Sequence, residues 1–217
     1  MDRLAEVEER IQEAARRSGR RREEITLVAI TKVFPASVIR EAYALGLRDF
    51  GENYVQEFES KVGELADLAG ARFHFVGHLQ SNKARRAVEL FQVIQTIDSA
   101  KLAARIGATG ASVEVMLEVK LGAEESKSGV APDGLGALID SVRACPNLRL
   151  AGLMTMPPWS DSAEDSRPYF RQLRHLAEQH GLRGLSMGTS YDFTAAIEEG
   201  ATHIRVGSAL FGPRRKA

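Results

Sequence analysis

The chain has 217 residues, 44% of them hydrophobic and 27% charged, and its 29 basic and 29 acidic side chains leave a formal net charge of zero. That length suits one large core or two small ones, and a balanced charge gives no global field to steer the chain toward nucleic acid or an anionic membrane. The single cysteine, Cys145, excludes an intramolecular disulfide and a cysteine-based zinc site. No apolar run nears the roughly 20 residues that span a bilayer, and the charged N-terminus lacks the apolar stretch of a signal peptide, so a cytoplasmic protein is expected.

In chain order, Leu4, Val7, Ile11, Ala14 and Ala15 recur at spacings of three and four and predict a helix over residues 1–18. Ser18-Gly-Arg-Arg-Arg22 then reads as a polar, solvated connector. Strands are predicted over 25–32, 48–54, 72–78, 93–98, 112–119, 148–154, 184–188 and 203–207. Helical patterns fall between them. One runs over 35–45 with Gly46 placed to stop it. A second carries Leu135, Leu138, Ile139 and Val142, and a third carries Phe170, Leu173, Leu176 and Ala177. Ser81 and Ser99 stand where helix N-caps would be.

Strands alternating with helices imply parallel pairing through crossovers. A closed (β/α)8 barrel fits the count, with an open doubly wound sheet as its rival. No break in composition divides the chain, so one domain over 1–217 is expected. Only ten residues follow Gly207, too few for a full eighth outer helix. The N-terminal helix is expected to take that place.

Functional groups of a (β/α)8 barrel collect at the C-terminal strand ends, with phosphates often beside the last two loops. Lys32 ends the first predicted strand, Glu52 and Asn53 end the second and His78 ends the third. Ser186-Met-Gly-Thr-Ser190 covers the seventh, and Arg205, Gly207 and Ser208 end the eighth. Lys32 taken alone is a snorkelling lysine; as a neutral amine it can form a Schiff base. The Gly/Ser turns around Gly188–Ser190 and Gly207-Ser208 suit a phosphate, and the segment after Ser190 opens a helix toward it. An inward Arg205 either pairs with a barrel carboxylate or donates to the ring nitrogen of a pyridine cofactor. His74 and His78 lie about 13 Å apart on a strand, too far for one metal.

Seven blocks carry a resemblance. They are Ala29-Ile-Thr-Lys32, Asp49-Phe-Gly-Glu-Asn-Tyr-Val-Gln-Glu57, His74-Phe-Val-Gly-His-Leu-Gln-Ser-Asn-Lys83, Glu124-Glu-Ser-Lys-Ser-Gly129, Gly152-Leu-Met-Thr-Met156, Leu185-Ser-Met-Gly-Thr-Ser190 and Ile204-Arg-Val-Gly-Ser-Ala-Leu-Phe-Gly212. Over nearly its whole length the chain resembles the pyridoxal phosphate homeostasis protein family. The resemblance implies a single barrel of the alanine racemase N-terminal-domain type, the fold-type III class, with an extra N-terminal helix. It also implies pyridoxal 5′-phosphate (PLP) held as an aldimine on Lys32. Ser186, Ser190, Gly207 and Ser208 match phosphate-side positions, Arg205 the ring-nitrogen position, and Asn53 and His78 the pocket wall. Thr189 stands where the family usually has methionine and Ser208 where threonine is common. Ser208 keeps the hydroxyl, and Thr189 is expected to alter packing under the ring.

Three functions compete. A two-base racemase needs a second acid–base group from a further domain, and the chain stops as the barrel closes. Arg205 would also weaken the ring as an electron sink. A class I aldolase would use the lysine on a sugar phosphate. The favoured expectation is a non-enzymatic, monomeric PLP carrier in the cytoplasm. It would hold vitamin B6 in its reactive form and meet PLP-dependent apo-enzymes transiently. The alternative is a PLP-dependent amino-acid racemase or decarboxylase.

Overall fold

The computed structural model describes residues 2–122 and 128–213. Its strands are β1 Thr26–Ile30, β2 Asp49–Glu52, β3 Arg72–Phe75, β4 Val93–Ile97, β5 Val113–Glu118, β6 Leu148–Met154, β7 Gly184–Thr189 and β8 His203–Val206. They pair in parallel, in sequence order, and β8 returns to β1. Val28 lies beside Asp49 on one flank and Arg205 on the other, so β1 is the seam where the barrel closes. Closure removes the open edges that the rival doubly wound sheet would keep.

The helices are α1 Asp2–Arg17, α2 Ala36–Ala44, α3 Val55–Lys61, α4 Ala84–Leu90, α5 Ala100–Gly107, α6 Leu135–Arg143, α7 Arg167–Gln179, α8 Phe193–Glu198 and α9 Ser208–Phe211. Helix α2 stops as its sequence demands. Gly46 takes φ +100°, its N–H donates to the Tyr43 carbonyl at 2.9 Å, and the Leu47 N–H donates to the Ala42 carbonyl at 3.1 Å, a Schellman closure. Ser99 caps α5 by accepting the Leu102 N–H at 3.4 Å. Ser81 differs from expectation. It opens a short 3-10 turn, Ser81–Lys83, that leads into α4 without a side-chain cap.

Outside the wall, Phe50, Phe58, Phe73, Phe75 and Phe91 pack ring on ring between β2, β3, α3 and α4, with centroids 4.7–5.9 Å apart. Such burial contributes about 1.5–3 kcal/mol for each large side chain. On the opposite flank Val7, Ile11, Ala14 and Ala15 are the buried face of α1, which packs against α8 and α9. The Arg10 guanidinium covers the Phe193 ring at 4.4 Å. The connector after α1 is more tightly held than a solvated linker. Arg20 donates to the carbonyls of Ile197 (3.1 Å) and Ala201 (2.7 Å), and Arg22 pairs with Glu8 at 2.7 Å. Helix α9 is a single turn, and α1 lies in the outer ring beside it.

Candidate functional site at the C-terminal mouth

Lys32 lies just beyond the last paired residue of β1, in a turn. The Phe34 N–H donates to the Thr31 carbonyl at 3.1 Å, which closes residues 31–34. Val33, the third residue of that turn, has φ +65°, a left-handed conformation uncommon for any residue but glycine and strained for a β-branched one. Gly207 follows β8 across the seam; a Cβ added there would sit 3.3 Å from Ile30 Cβ. The β8 end and the lysine turn are therefore neighbours.

At the β7 and β8 ends two backbone N–H groups converge on one oxygen. Gly207 and Ala209 donate to Ser190 Oγ at 3.0 and 3.2 Å. Ser208 is exposed on the first turn of α9 beside them. Gly188 has φ +89°, and a Cβ there would meet Ala196 Cβ at 2.5 Å and Phe193 Cα at 2.9 Å, so only glycine lets β7 turn this closely into α8. Thr189 folds back on that turn. Its N–H and hydroxyl donate to Asp192 Oδ1 at 2.7 and 3.0 Å.

Arg205 points into the barrel and is 4% exposed. It donates to Ser186 Oγ (2.6 Å), to the Thr155 carbonyl (2.8 Å) and to Met156 Sδ (2.8 Å). Among the described residues its partners are a hydroxyl, a carbonyl and a thioether. Among the described residues none of these is the directly paired carboxylate of one of the two sequence readings. Burial pushes its guanidinium down to about 10, so it remains a cation at neutral pH.

Ser186 is fully buried and stands apart from Ser190. Because arginine can only donate, the Ser186 hydroxyl accepts from Arg205 and sends its own proton to Gln95 Oε1 at 2.6 Å. The Gln95 amide donates to His74 Nδ1 at 2.9 Å, and His74 Nε2–H donates to Asp49 Oδ1 at 2.8 Å. Five side chains from five strands thus form one directed file, from a cation at the mouth to a carboxylate near the floor. His203 lies beside it, its ring 6.3 Å from that of His74, and burial pushes its imidazole down to about 4.

Asn53 and His78 share a 220 Å³ cavity on the β2–β3 side, with Tyr54, Gln80 and Lys83 in its lining. His78 is exposed, with Nδ1 3.6 Å from Asp98 Oδ2, and it also borders a groove lined by Asp98, Ser99 and Ser128. The Ser128 hydroxyl lies 3.1 Å from both oxygens of Glu118, whose carboxyl burial holds above the usual range. Residues 124–127 of the Glu124–Gly129 block lie outside the described residues.

The structure brings the expected residues together in three groups around one mouth. Lys32 is at the seam. Ser190, Gly207 and Ser208 lie on the β7–β8 side, with Ser186 and Arg205 in the interior. Asn53 and His78 lie on the β2–β3 side. Sequence reading missed Gln95, Thr155, Asp192 and Glu118. Gln95 left the clearest signal, a polar residue inside the buried run Val93-Ile-Gln-Thr-Ile97.

The fold and this mouth define a class: parallel eight-stranded barrels with a lysine after the first strand and paired polar turns after the last two. The family model described as alanine racemase, N-terminal domain, matches residues 3–215. A pyridoxal phosphate homeostasis protein of Pseudomonas aeruginosa is 46% identical over 217 residues, covering 97% of this chain and 94% of the relative. One from Aquifex aeolicus is 42% identical over 224 residues, covering 99% and 98%. Among solved structures, PipY of Synechococcus elongatus PCC7942 with PLP bound is 42% identical, with a TM-score of 0.81 over 87% of this chain and 93% of that one. The chain belongs to the pyridoxal phosphate homeostasis protein family.

Proposed function

We propose that this chain binds PLP at the mouth and holds it in a reversible reserve rather than turning over a substrate. The observation that carries the reading is the seam itself. The lysine turn adjoins a strand end where two N–H groups converge on a single oxygen, 3.0 and 3.2 Å away. With both N–H groups donating to its oxygen, the Ser190 hydroxyl is oriented to give its own proton to an anionic oxygen. A relative with 42% identity is described with PLP bound.

When bound, PLP supplies an aldehyde that a neutral amine captures reversibly with release of one water, and a pyridine ring that accepts electrons when its nitrogen is protonated. Lys32 offers the amine. The hydroxyls of Ser190, oriented by the Gly207 and Ala209 N–H groups, and of Ser208 would hold the phosphate. Arg205 donates to the ring nitrogen, and Ser186 holds Arg205 in place. Asn53 and His78 wall the far side. Arginine keeps its protons at neutral pH, so Arg205 leaves the ring nitrogen an acceptor and weakens the ring as an electron sink. That favours storage over amino-acid chemistry. In this reading the protein works as a monomer in the reducing cytoplasm and hands PLP to apo-enzymes in transient contacts.

The test is optical. Wild-type protein mixed with PLP should gain a near-visible band that borohydride abolishes, and Lys32→Ala should gain none while keeping its far-ultraviolet dichroism. A wild-type protein that stays colourless sinks the reading. Incubating the loaded protein with a panel of amino acids, following chirality and carbon dioxide, separates storage from catalysis. Sustained turnover would favour a racemase or decarboxylase.

A further inference from the structure

Beneath the lysine turn, between the barrel wall and α3, lies a buried ionic cluster. Lys61 is 6% exposed and its Nζ lies 2.8 Å from Glu52 Oε1 and 3.0 Å from Glu57 Oε1. The same ammonium donates to the Thr31 carbonyl at 3.2 Å and the Phe34 carbonyl at 3.0 Å. Glu57 Oε1 accepts the Val33 N–H at 2.6 Å, and Thr31 Oγ1 donates to Glu52 Oε1 at 2.7 Å. The cluster therefore grips the backbone or side chain of Thr31, Val33 and Phe34, which bracket Lys32. Glu52 is fully buried and its Oε2 meets no hydrogen-bond partner among the described residues, so the cluster is more than a generic surface ion pair.

The turn it grips is one its own sequence disfavours. With φ +65° at its third residue, this turn calls for glycine or asparagine, and Val33 is neither. The residue is 57% exposed, so burial of the valine does not offset the strain. Backbone strain of this kind persists only where the surroundings over-determine it, and it gathers at functional sites. Lys61 and Glu57 supply that over-determination through two carbonyls and one N–H.

We infer that Lys61 and Glu57 are positioning residues that hold the 31–34 turn in its strained form and thereby aim the Lys32 amine into the mouth. The inference rests on Lys32 being the PLP-capturing amine proposed above. Loss of the clamp lets the turn relax toward negative φ at Val33 and swings the lysine out of line. A positional error of about 1 Å at a reacting group can cost on the order of a hundredfold in rate.

The experiment follows growth of the near-visible band after PLP is mixed with full-length protein, in wild type, Lys61→Met, Lys61→Arg and the double variant Lys61→Met/Val33→Gly. Lys61→Met should capture PLP at least about tenfold more slowly with far-ultraviolet dichroism unchanged, and Lys61→Arg should recover part of the rate. The double variant should return to within about threefold of wild type, because glycine adopts positive φ without a clamp. Capture by Lys61→Met at the wild-type rate overturns the inference. So does a slow Lys61→Met that Val33→Gly leaves unchanged, since the loss then belongs to the stranded Glu52 charge. Should Lys61→Met not fold, Glu57→Met keeps the Lys61–Glu52 pair, removes the acceptor of the Val33 N–H and reads the same clamp. It should capture severalfold more slowly, and a wild-type rate overturns the inference. A wild type that forms no band sinks the binding proposal itself, whereas a wild type with a normal band beside indifferent variants sinks the clamp alone.

Discussion

Inside the barrel, Arg205, Ser186, Gln95, His74 and Asp49 pass hydrogen bonds from β8 to β2 in one direction. Outside the wall, Glu52, Lys61 and Glu57 gather charges around a single ammonium within a short stretch of chain. Both clusters are buried and both end at the mouth. The interior file spreads one cation and one carboxylate across five strands, with neutral groups between them. The outer cluster sets its charges in direct contact and spends the remaining donors of Lys61 on backbone carbonyls. The difference teaches that the first holds a side chain, Arg205, whereas the second holds a main-chain turn. Removing a link should cost more where charges touch than where neutral groups relay.

The largest effect is expected at the outer cluster. Lys61→Met leaves Glu52 buried without its counter-charge, and breaking such a pair costs about 3–5 kcal/mol. Denaturant titration reads it, and a loss below about 1 kcal/mol would equate the two clusters. Next comes the pH response beside the interior file. Burial holds His203 down at about 4, below its ordinary 6.5. The unfolded chain therefore takes up this proton first. Stability from this group is level above pH 6.5 and falls as pH drops from there toward 4, by about 3 kcal/mol in all. His203→Gln should flatten that window, and an unchanged slope would assign the acid sensitivity elsewhere.

Gln95→Leu should cost about 2 kcal/mol, because the Ser186 hydroxyl and His74 Nδ1 both lose a buried partner. Adding Ser186→Ala should cost less than the sum of the single changes, as expected of neighbours in one file. Strict additivity would mean the file is five separate contacts. The smallest effect has the opposite sign. Val33→Gly should stabilise the folded chain by about 0.5 kcal/mol, the relieved strain being partly offset by the greater freedom of glycine in the unfolded chain. Destabilisation there would mean the turn is comfortable with valine.

Much of the fold was legible because its signals are local. The apolar runs that became β1, β4 and β5 lie within a few residues of their predicted ends. Gly46 announced the end of α2, and the spacing of Val7, Ile11, Ala14 and Ala15 announced the buried face of α1. The misses share a cause. Ser81 has the side chain of a cap, yet the chain there makes a 3-10 turn first. The arginines after α1 look like a solvated linker until Ile197 and Ala201, far along the chain, are brought beside them. Ser186 reads with Ser190 as part of one polar block, but the sharp turn at Gly188 carries Ser190 past the end of β7 to the rim while Ser186 stays in the barrel interior.

The sequence by itself determined that eight strands would alternate with helices, that a lysine would stand at the end of the first, and that Gly/Ser turns would stand at the ends of the last two. Periodicity, punctuation and motif blocks are properties of neighbouring residues. Only the tertiary structure decided that Arg205 is held by Ser186 and, through Gln95 and His74, reaches Asp49, and that Lys61 grips both sides of Lys32. Closing β8 onto β1, and folding α3 back over the end of β1, sets those distances, and a distance between residues far apart in the chain is not written in either one's neighbourhood.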